Sequence, residues 1–473
     1  MNQSNRFYDH VIETISSYVC RGNGYSDLAM KTSSLCLMDS IGCALLALKF
    51  PNCFKRLGPS IPGTVVPNGT KIIGTNFRVD PIKGALDLGS MIRWLDYNDT
   101  WLGKEWGHPS DNFGALLAVT DYLSRNRSND FDVSVKDLLS AAIKAYEIQG
   151  ILALGNSLNR VGIDHVLFLK IASTAVVTRL LGGDFDQVCA AISNAWSDAT
   201  LRTYRHYPNT GFRKAWAAGD ATSRAVTLSY MTMNGEEGYP TVLSADVWGF
   251  EDTWMDKKII VLERELGSYV MENILFKIKF PAEFHAQTAA ELAIKLHETV
   301  ANRIQEIERI EIGTQESALR IIDKQGPLNN AADRDHCIQY ITAVALLKGS
   351  LKYEDYEDKN SRDGRIDFIR SKIILFEDLD FSSGYLDPEK RSVGNSIKIF
   401  FKDGTSTDKV SLDYPIGHKF RRSEGIPLLF DKFINNCGTV IGRDKTEYIA
   451  ELFKNQEKLE NLRVSELVDL LCL

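Results

Sequence analysis

The chain has 473 residues, more than one ordinary core needs, so two domains are expected, each long enough to bury a sizeable interior. Hydrophobic residues make up 44% and charged residues 25%, the balance of a soluble globular protein rather than a disordered or fibrous one. A formal net charge of -7 argues against nucleic acid or an anionic membrane surface as the main partner, while a local basic pocket for a small anion stays compatible with it.

No apolar run approaches the roughly 20 residues that span a bilayer, so no membrane partner is expected. The opening text, MNQSNRFYDHVIETISSYV, has no basic-then-apolar signal pattern, and Asp9 and Glu13 are unlike a transit peptide. A cytoplasmic protein is expected. The eight cysteines are scattered without a Cys-x-x-Cys pair, which fits reduced thiols and speaks against a zinc or iron–sulfur site.

Apolar positions recurring at three and four over 9–49 (Val11, Ile15, Leu28, Leu35, Met38, Ala44, Leu48) predict helices, the second strongly apolar. Residues 51–80 are rich in Pro, Gly and Asn and read as loops. Pro81 opens a small-residue helix that delivers RWLDYNDTWLGKEWGHPSDN at 93–112. This stretch crowds Asp96, Asp99, Thr100, Glu105, His108, Ser110 and Asp111 among Trp94, Trp101 and Trp106. Gly107 and Pro109 set His108 on a turn. Two readings stand: acid–base groups whose pKa values are moved by aromatic walls, or an acidic surface loop whose tryptophans plug a core.

Helices follow at 112–123 and 135–157. In IDHVLFLKIASTAVVTRLLGG (163–183), Asp164 reads as an N-cap, His165 falls in the first turn, and Val166, Leu169, Ser173, Val176 and Leu180 form a buried stripe. His165 either faces an anion at the helix N-terminus or caps a core helix. After a helix at 186–199, LRTYRHYPNTGFRKAWAAGD interleaves Arg202, Arg205, His206, Arg213 and Lys214 with Tyr204, Tyr207, Phe212 and Trp216. Such a loop suits a polyanionic ligand better than open solvent, and an Ala-rich helix (214–233) follows it.

Residues 257–267 form a candidate linker, and the texture then changes. A strand and turn are predicted at 276–284, a helix at 285–299, a strand at 309–313 and a buried helix at 337–347 after Asp333-Arg334-Asp335-His336. A strand at 373–376 and a hairpin of 396–402 with 408–414 around Asp403-Gly404 complete this part, and helices return at 424–436, 444–455 and 463–472. The expected fold is mainly α with an inserted α+β domain. A large all-helical domain comes from 1–269 and 415–473, and a smaller α/β lid domain from 270–414.

No dinucleotide fingerprint, Walker loop or Gly-x-Ser-x-Gly elbow is present. What remains is His108, His165, His206, His285, His336 and His418 in unusual company, with only His10 and His297 reading as ordinary exposed positions. Together with Lys214, Tyr340, Asp96 and Thr100 the set suits proton abstraction beside a carboxylate and acid-assisted loss of a hydroxyl. Such a carbon acid is very weak, so preorganised donors must meet the growing charge, with a base and an acid of near-neutral pKa on either side.

The texts RWLDYNDTWLGKEWGHPSDN, VGIDHVLFLKIASTA, LRTYRHYPNTGFRKAWAAGDATSRA, KFPAEFHAQTAAELA, DRDHCIQY and YPIGHKFRRSEGIPLL resemble the MmgE/PrpD family along almost the whole chain. They match its 2-methylcitrate dehydratase branch better than cis-aconitate decarboxylase. The resemblance implies a discontinuous helical domain with an inserted lid, a homodimer, and dehydration of 2-methylcitrate to 2-methyl-cis-aconitate in the methylcitrate cycle of propionate breakdown. It implies no metal and no cofactor, and side activity on citrate or cis-aconitate. By motif it places the site on Asp96 and Thr100 (DYNDT), His108 (GHPSD), His165 (IDHV), Lys214 (FRKAW), His285 (PAEFH) and Tyr340 (CIQY). The last two come from the lid, so the cleft is expected between domains. His108 or Lys214 is the expected base, His165 or His285 the acid, and Asp96 the group that orients a histidine. Thr100, Arg202, Arg205 and Arg334 are the expected ligands of a tricarboxylate substrate. One departure is a segment before Leu201, in WSDATLRTYRH, that is a residue shorter than the family pattern, which touches substrate orientation through Arg202 and Tyr204. Two rivals are a cis-aconitate decarboxylase on the same scaffold and a catalytically silent binding or assembly protein; against the latter, all seven matched positions keep functional side chains.

Overall fold

Residues 7–22, 24–126, 133–206 and 208–473 are described by the structure, a computed structural model. Tyr207, counted above among the aromatic walls, lies outside the described residues.

The helices Asp27–Ala47, Val135–Gly155 and Val166–Leu180 are buried along nearly their whole length, so their apolar residues run all round the helix rather than along one stripe. Side chains fix where they begin. Ser26 accepts from Ala29 N, and Ser134 with Asp137 forms a capping box. Val135–Gly155 is long and apolar enough to cross a membrane, contrary to the sequence reading, but 94% of its apolar window is buried within the protein. Its charged and polar members, Lys144, Glu147 and Gln149, interrupt the apolar run as read linearly.

Close backbone contact positions the site. Pro81–Arg93, capped by Asp80 on Ile82 N and Lys83 N, crosses Arg213–Met233 and Phe113–Asn126 at glycines. A Cβ on Gly89 would stand 2.8 Å from Gly219 Cα, and one on Gly114 2.7 Å from Gly89 Cα, so only hydrogen fits at this crossing. Arg93 ends one helix, Asp96 lies just past it, and Lys214 stands at the start of the other, near enough for both to act on its charge.

The buried apolar residues form two main clusters. One draws on 11–278 and 416–472, the other on 280–412. The second surrounds a four-stranded sheet ordered Ile373–Glu377, Ile307–Thr314, Asn395–Phe401 and Val410–Leu412, whose first pair is parallel and the others antiparallel. Ile310, Ile312, Ile397 and Ile399 alternate into its core, which is shared with Gln287–Val300 and Ile338–Lys348. The architecture is mainly α with a smaller α/β domain.

Three expectations need correction. No strand forms over 276–284: Leu275 makes only an isolated bridge to Thr100, and Phe284–Ala286 is a 3-10 turn. Here the backbone closes onto other segments, with Phe276 N donating to Gly417 O at 3.1 Å, and has no neighbour strand to ladder with. Residues 257–267 are no free linker, because Ile260 is buried and Val261 N and Gly267 N donate to Asn156 and Glu147 of the buried helix. His297 is half-buried and bonds Leu346 O through Nδ1.

Candidate active site

The stretch 93–112 is interior. Trp101–Leu102 pairs with Trp106–Gly107 in a two-residue antiparallel ladder that turns at Gly103-Lys104, and Asp96, Asp99, Thr100, Glu105, His108 and Asp111 are all buried. The surface-loop reading fails. Trp101 Nε1 donates to Gly150 O at 3.1 Å, while Trp94 stacks on Phe212 and stays partly exposed.

Asp96 sits in the left-handed region, φ 50°, at the end of the Pro81 helix. It pairs with Arg93, with Lys277 at 3.0 Å, with His108 at 3.6 Å and with His336 at 3.9 Å. Burial alone would raise its carboxyl, yet Arg93 and then Lys277 hold it well below the usual carboxylate range. Arg93 also donates to His108 Nε2 at 2.8 Å, so the His108 proton lies on Nδ1, which donates to Asp99 O at 2.6 Å. Burial, then Arg93 and Lys277, pushes His108 well below its ordinary value, and the ring is neutral.

His165 stands beside it, ring centroids 5.9 Å apart. Its helix starts one residue later than the sequence suggested, with Asp164 capping Val166 N at 3.2 Å and the imidazole just ahead of the first turn. His165 is buried, and neither ring nitrogen has a hydrogen-bond partner among the described residues. Burial outweighs Asp164, 3.3 Å away, and keeps this ring neutral too. Arg205 binds Asp164 with both its Nε and Nη2, so it is spent on that carboxylate. Arg202 lies over the Trp106 face at 4.9 Å, 4.0 Å from Glu105, with one guanidinium nitrogen unpartnered.

Lys214 reaches across to the other core. Its ammonium lies 2.8 Å from Asp335, 2.9 Å from His336 Nδ1 and 3.4 Å from Ala332 O. Burial lowers its pKa, and Arg93 adds to this, while Asp335 and Asp96 pull the other way. His285, fully buried, takes Glu283 on Nδ1 at 2.8 Å and Tyr385 OH on Nε2 at 3.2 Å, and packs edge-on against Trp106. Glu283 is held below its ordinary value against burial by His285, then His336 and Lys277, so one field joins this limb to the rest.

His108, His165, Lys214 and His285 are all buried, with His108 and Lys214 linked through Asp96 and His336 and His285 joined to them through Glu283. Thr100 lines the same hairpin, its hydroxyl donating to Gly107 O at 3.0 Å. Three sequence-named groups stand apart. Tyr340 OH donates to Asp355 O at 2.7 Å within the smaller domain. Arg334 is engaged by Asp358 and by Ser361 at 3.0 Å. His418 bonds Lys390 O and Phe420 N. Arg93, Lys277, Glu283 and Tyr385 escaped the sequence reading. Lys277 falls in FKIKF, where alternation assigns it to solvent, yet it is fully buried. Among the described residues no group of three or more His, Cys, Asp or Glu is arranged to hold a metal ion.

Two family models match the chain: the MmgE/PrpD N-terminal domain over residues 13–262 and the MmgE/PrpD C-terminal domain over 280–458. The chain is 52% identical over 469 residues to the 2-methylcitrate dehydratase of Escherichia coli (strain K12), covering 98% of this chain and 97% of that protein. It is 50% identical to the 2-methylcitrate dehydratase of Cupriavidus necator, over 98% of this chain and 97% of the relative. The mitochondrial 2-methylcitrate dehydratase of Yarrowia lipolytica is 50% identical over 98% of this chain and 90% of its own.

Proposed function

The chain belongs to the MmgE/PrpD family, and on that footing we propose that it removes water from 2-methylcitrate to give 2-methyl-cis-aconitate, in the methylcitrate cycle of propionate breakdown. The observation that carries the reading is a buried cluster of neutral imidazoles, an ammonium and guanidinium groups supplied by both cores.

In the reaction the C–H bond at the methyl-bearing carbon breaks and its proton passes to a base. The electron pair forms the double bond, and the hydroxyl leaves from the neighbouring carbon as water after taking a proton from an acid. His165 is the base in this reading, because it is neutral and has both nitrogens free, whereas His108 Nε2 already accepts from Arg93. Lys214 is the acid, since desolvation weakens its hold on a proton. Arg93 and Lys277 meet the charge that grows on the carboxylate beside the breaking C–H bond, Asp96 holds both in place, and Arg202, whose Nη1 faces Glu105 at 4.0 Å without a hydrogen bond, binds a further carboxylate. His285, oriented by Glu283, closes the far wall. We further assign the domain division to 1–269 with 415–473 and 270–414, in keeping with the two apolar cores.

The test is a purified, chelator-treated sample offered 2-methylcitrate, citrate and cis-aconitate, followed in the ultraviolet and for evolved gas. Rising absorbance of a conjugated alkene from 2-methylcitrate without gas is expected. Carbon dioxide from cis-aconitate, with no reaction of 2-methylcitrate, would replace dehydration by decarboxylation. We also propose a homodimer, for which light scattering should return about twice the 53.0 kDa of one chain, and a single-chain mass would refute it.

A further inference from the structure

A cleft of about 480 Å³ opens between the two cores on the far side of Tyr385 from the imidazoles. Its walls carry Lys104, Arg160 and Lys258 from one core and Arg320, Gln315 and Tyr385 from the other. Glu316 is its single acidic wall residue. Arg160 and Lys258 have no side-chain partner among the described residues, while Lys104 is half-committed to Glu263 at 3.1 Å, and Arg320 is held by Glu316 at 3.0 Å and by Asn159 at 2.6 Å.

Gln315 is the more telling member. It is 0% exposed, its amide oxygen accepts from Thr314 Oγ1 at 2.8 Å, and its amide nitrogen has no partner among the described residues. A buried N–H left unpaired costs about 1–3 kcal/mol, so a donor kept this way at a cationic wall points to an acceptor that arrives from outside. Tyr385, at the inner end, bonds His285 Nε2 at 3.2 Å, which puts one side chain between cleft and reaction centre.

We propose that this cleft is a second binding site, for a small polycarboxylate of the substrate's class, on the approach to the reaction centre. The ligand class rests on the dehydratase reading; the site itself rests on the cationic walls and the unpaired amide. One carboxylate lies between Arg160 and Lys258, and another takes the Gln315 N–H beside Arg320.

The test is lysine acylation of the full chain, read by mass spectrometry, with tricarballylate (which has no hydroxyl to lose) against acetate at matched ionic strength. Tricarballylate should protect Lys104 and Lys258 saturably. Protection should persist in Lys214→Ala, where the reaction centre is weakened, and should need at least tenfold more ligand in Arg160→Glu, an exposed position whose change leaves the core untouched. Absent protection in the unaltered chain, loss of protection in Lys214→Ala, or an unshifted midpoint in Arg160→Glu each overturns the proposal. An unaltered chain that fails to turn over 2-methylcitrate defeats the functional reading instead, and the footprint remains readable.

Discussion

At the scale of single residues the site is a set of ionisable groups pushed from their ordinary values by burial and then sorted by neighbours. Glu105 shows the sorting clearly. Burial raises its carboxyl to about 7, although Arg202 and the two Asn159 donors oppose this. Its folded pKa lies above the unfolded value of 4.5, so its contribution is fully present below pH 4.5 and is lost as pH rises through about 7. Glu105→Gln, which mimics the protonated acid, should therefore gain stability relative to the unaltered chain between pH 4.5 and 7.5, by up to about 3 kcal/mol. Urea unfolding of both proteins at a series of pH values checks this, and a pH-independent difference would contradict it. His108, His165, Lys214 and His285 were picked out from the short texts GHPSD, IDHV, FRKAW and PAEFH, and all four are buried. Arg93 and Lys277 were not, because nothing local marks them. One ends a helix, the other alternates with apolar residues, and each becomes buried only when residue 277 is brought against residue 96.

At the scale of elements, the segments that build the site are pinned from behind. Lys432, on the returning helix Arg422–Gly438, donates to Tyr97 O at 2.7 Å and Lys277 O at 2.6 Å and pairs with Asp39 at 2.6 Å. One buried ammonium thus ties the second helix, the 93–112 stretch and the 275–280 segment to the C-terminal part. Removing it leaves Asp39 buried without its counter-charge and two carbonyls without a donor. Lys432→Met should cost about 3–5 kcal/mol in urea unfolding; a loss under 1 kcal/mol would show that the tie is not structural. Helix positions were readable from the three-four apolar repeat, as at Val166–Leu180, and the hairpin around Asp403-Gly404 from its alternation. The 101–107 ladder was missed because two paired residues on each side are too few for period two to register. The 276–284 strand was wrongly read because alternation there reflects packing against two different neighbours, not a ladder.

At the scale of the whole molecule, the proposed reaction centre draws its groups from both cores. Asp96, His108, His165 and Lys214 come from one, while His285, Asp335 and His336 come from the segment that carries the other. The change of texture near residue 270 falls close to where the first apolar core gives way to the second, but nothing in the sequence marked which groups cross between them. Tyr340 and Arg334, named from motif and charge, turn back into their own domain, whereas His336 and Asp335 reach out. The Lys214–Asp335 contact at 2.8 Å bonds across that seam. The decisive measurement is the turnover of Lys214→Ala on 2-methylcitrate, with unfolding followed in parallel. A fall of well over tenfold in kcat, measured where the variant is still fully folded, is the predicted result, and near-normal turnover would contradict the account.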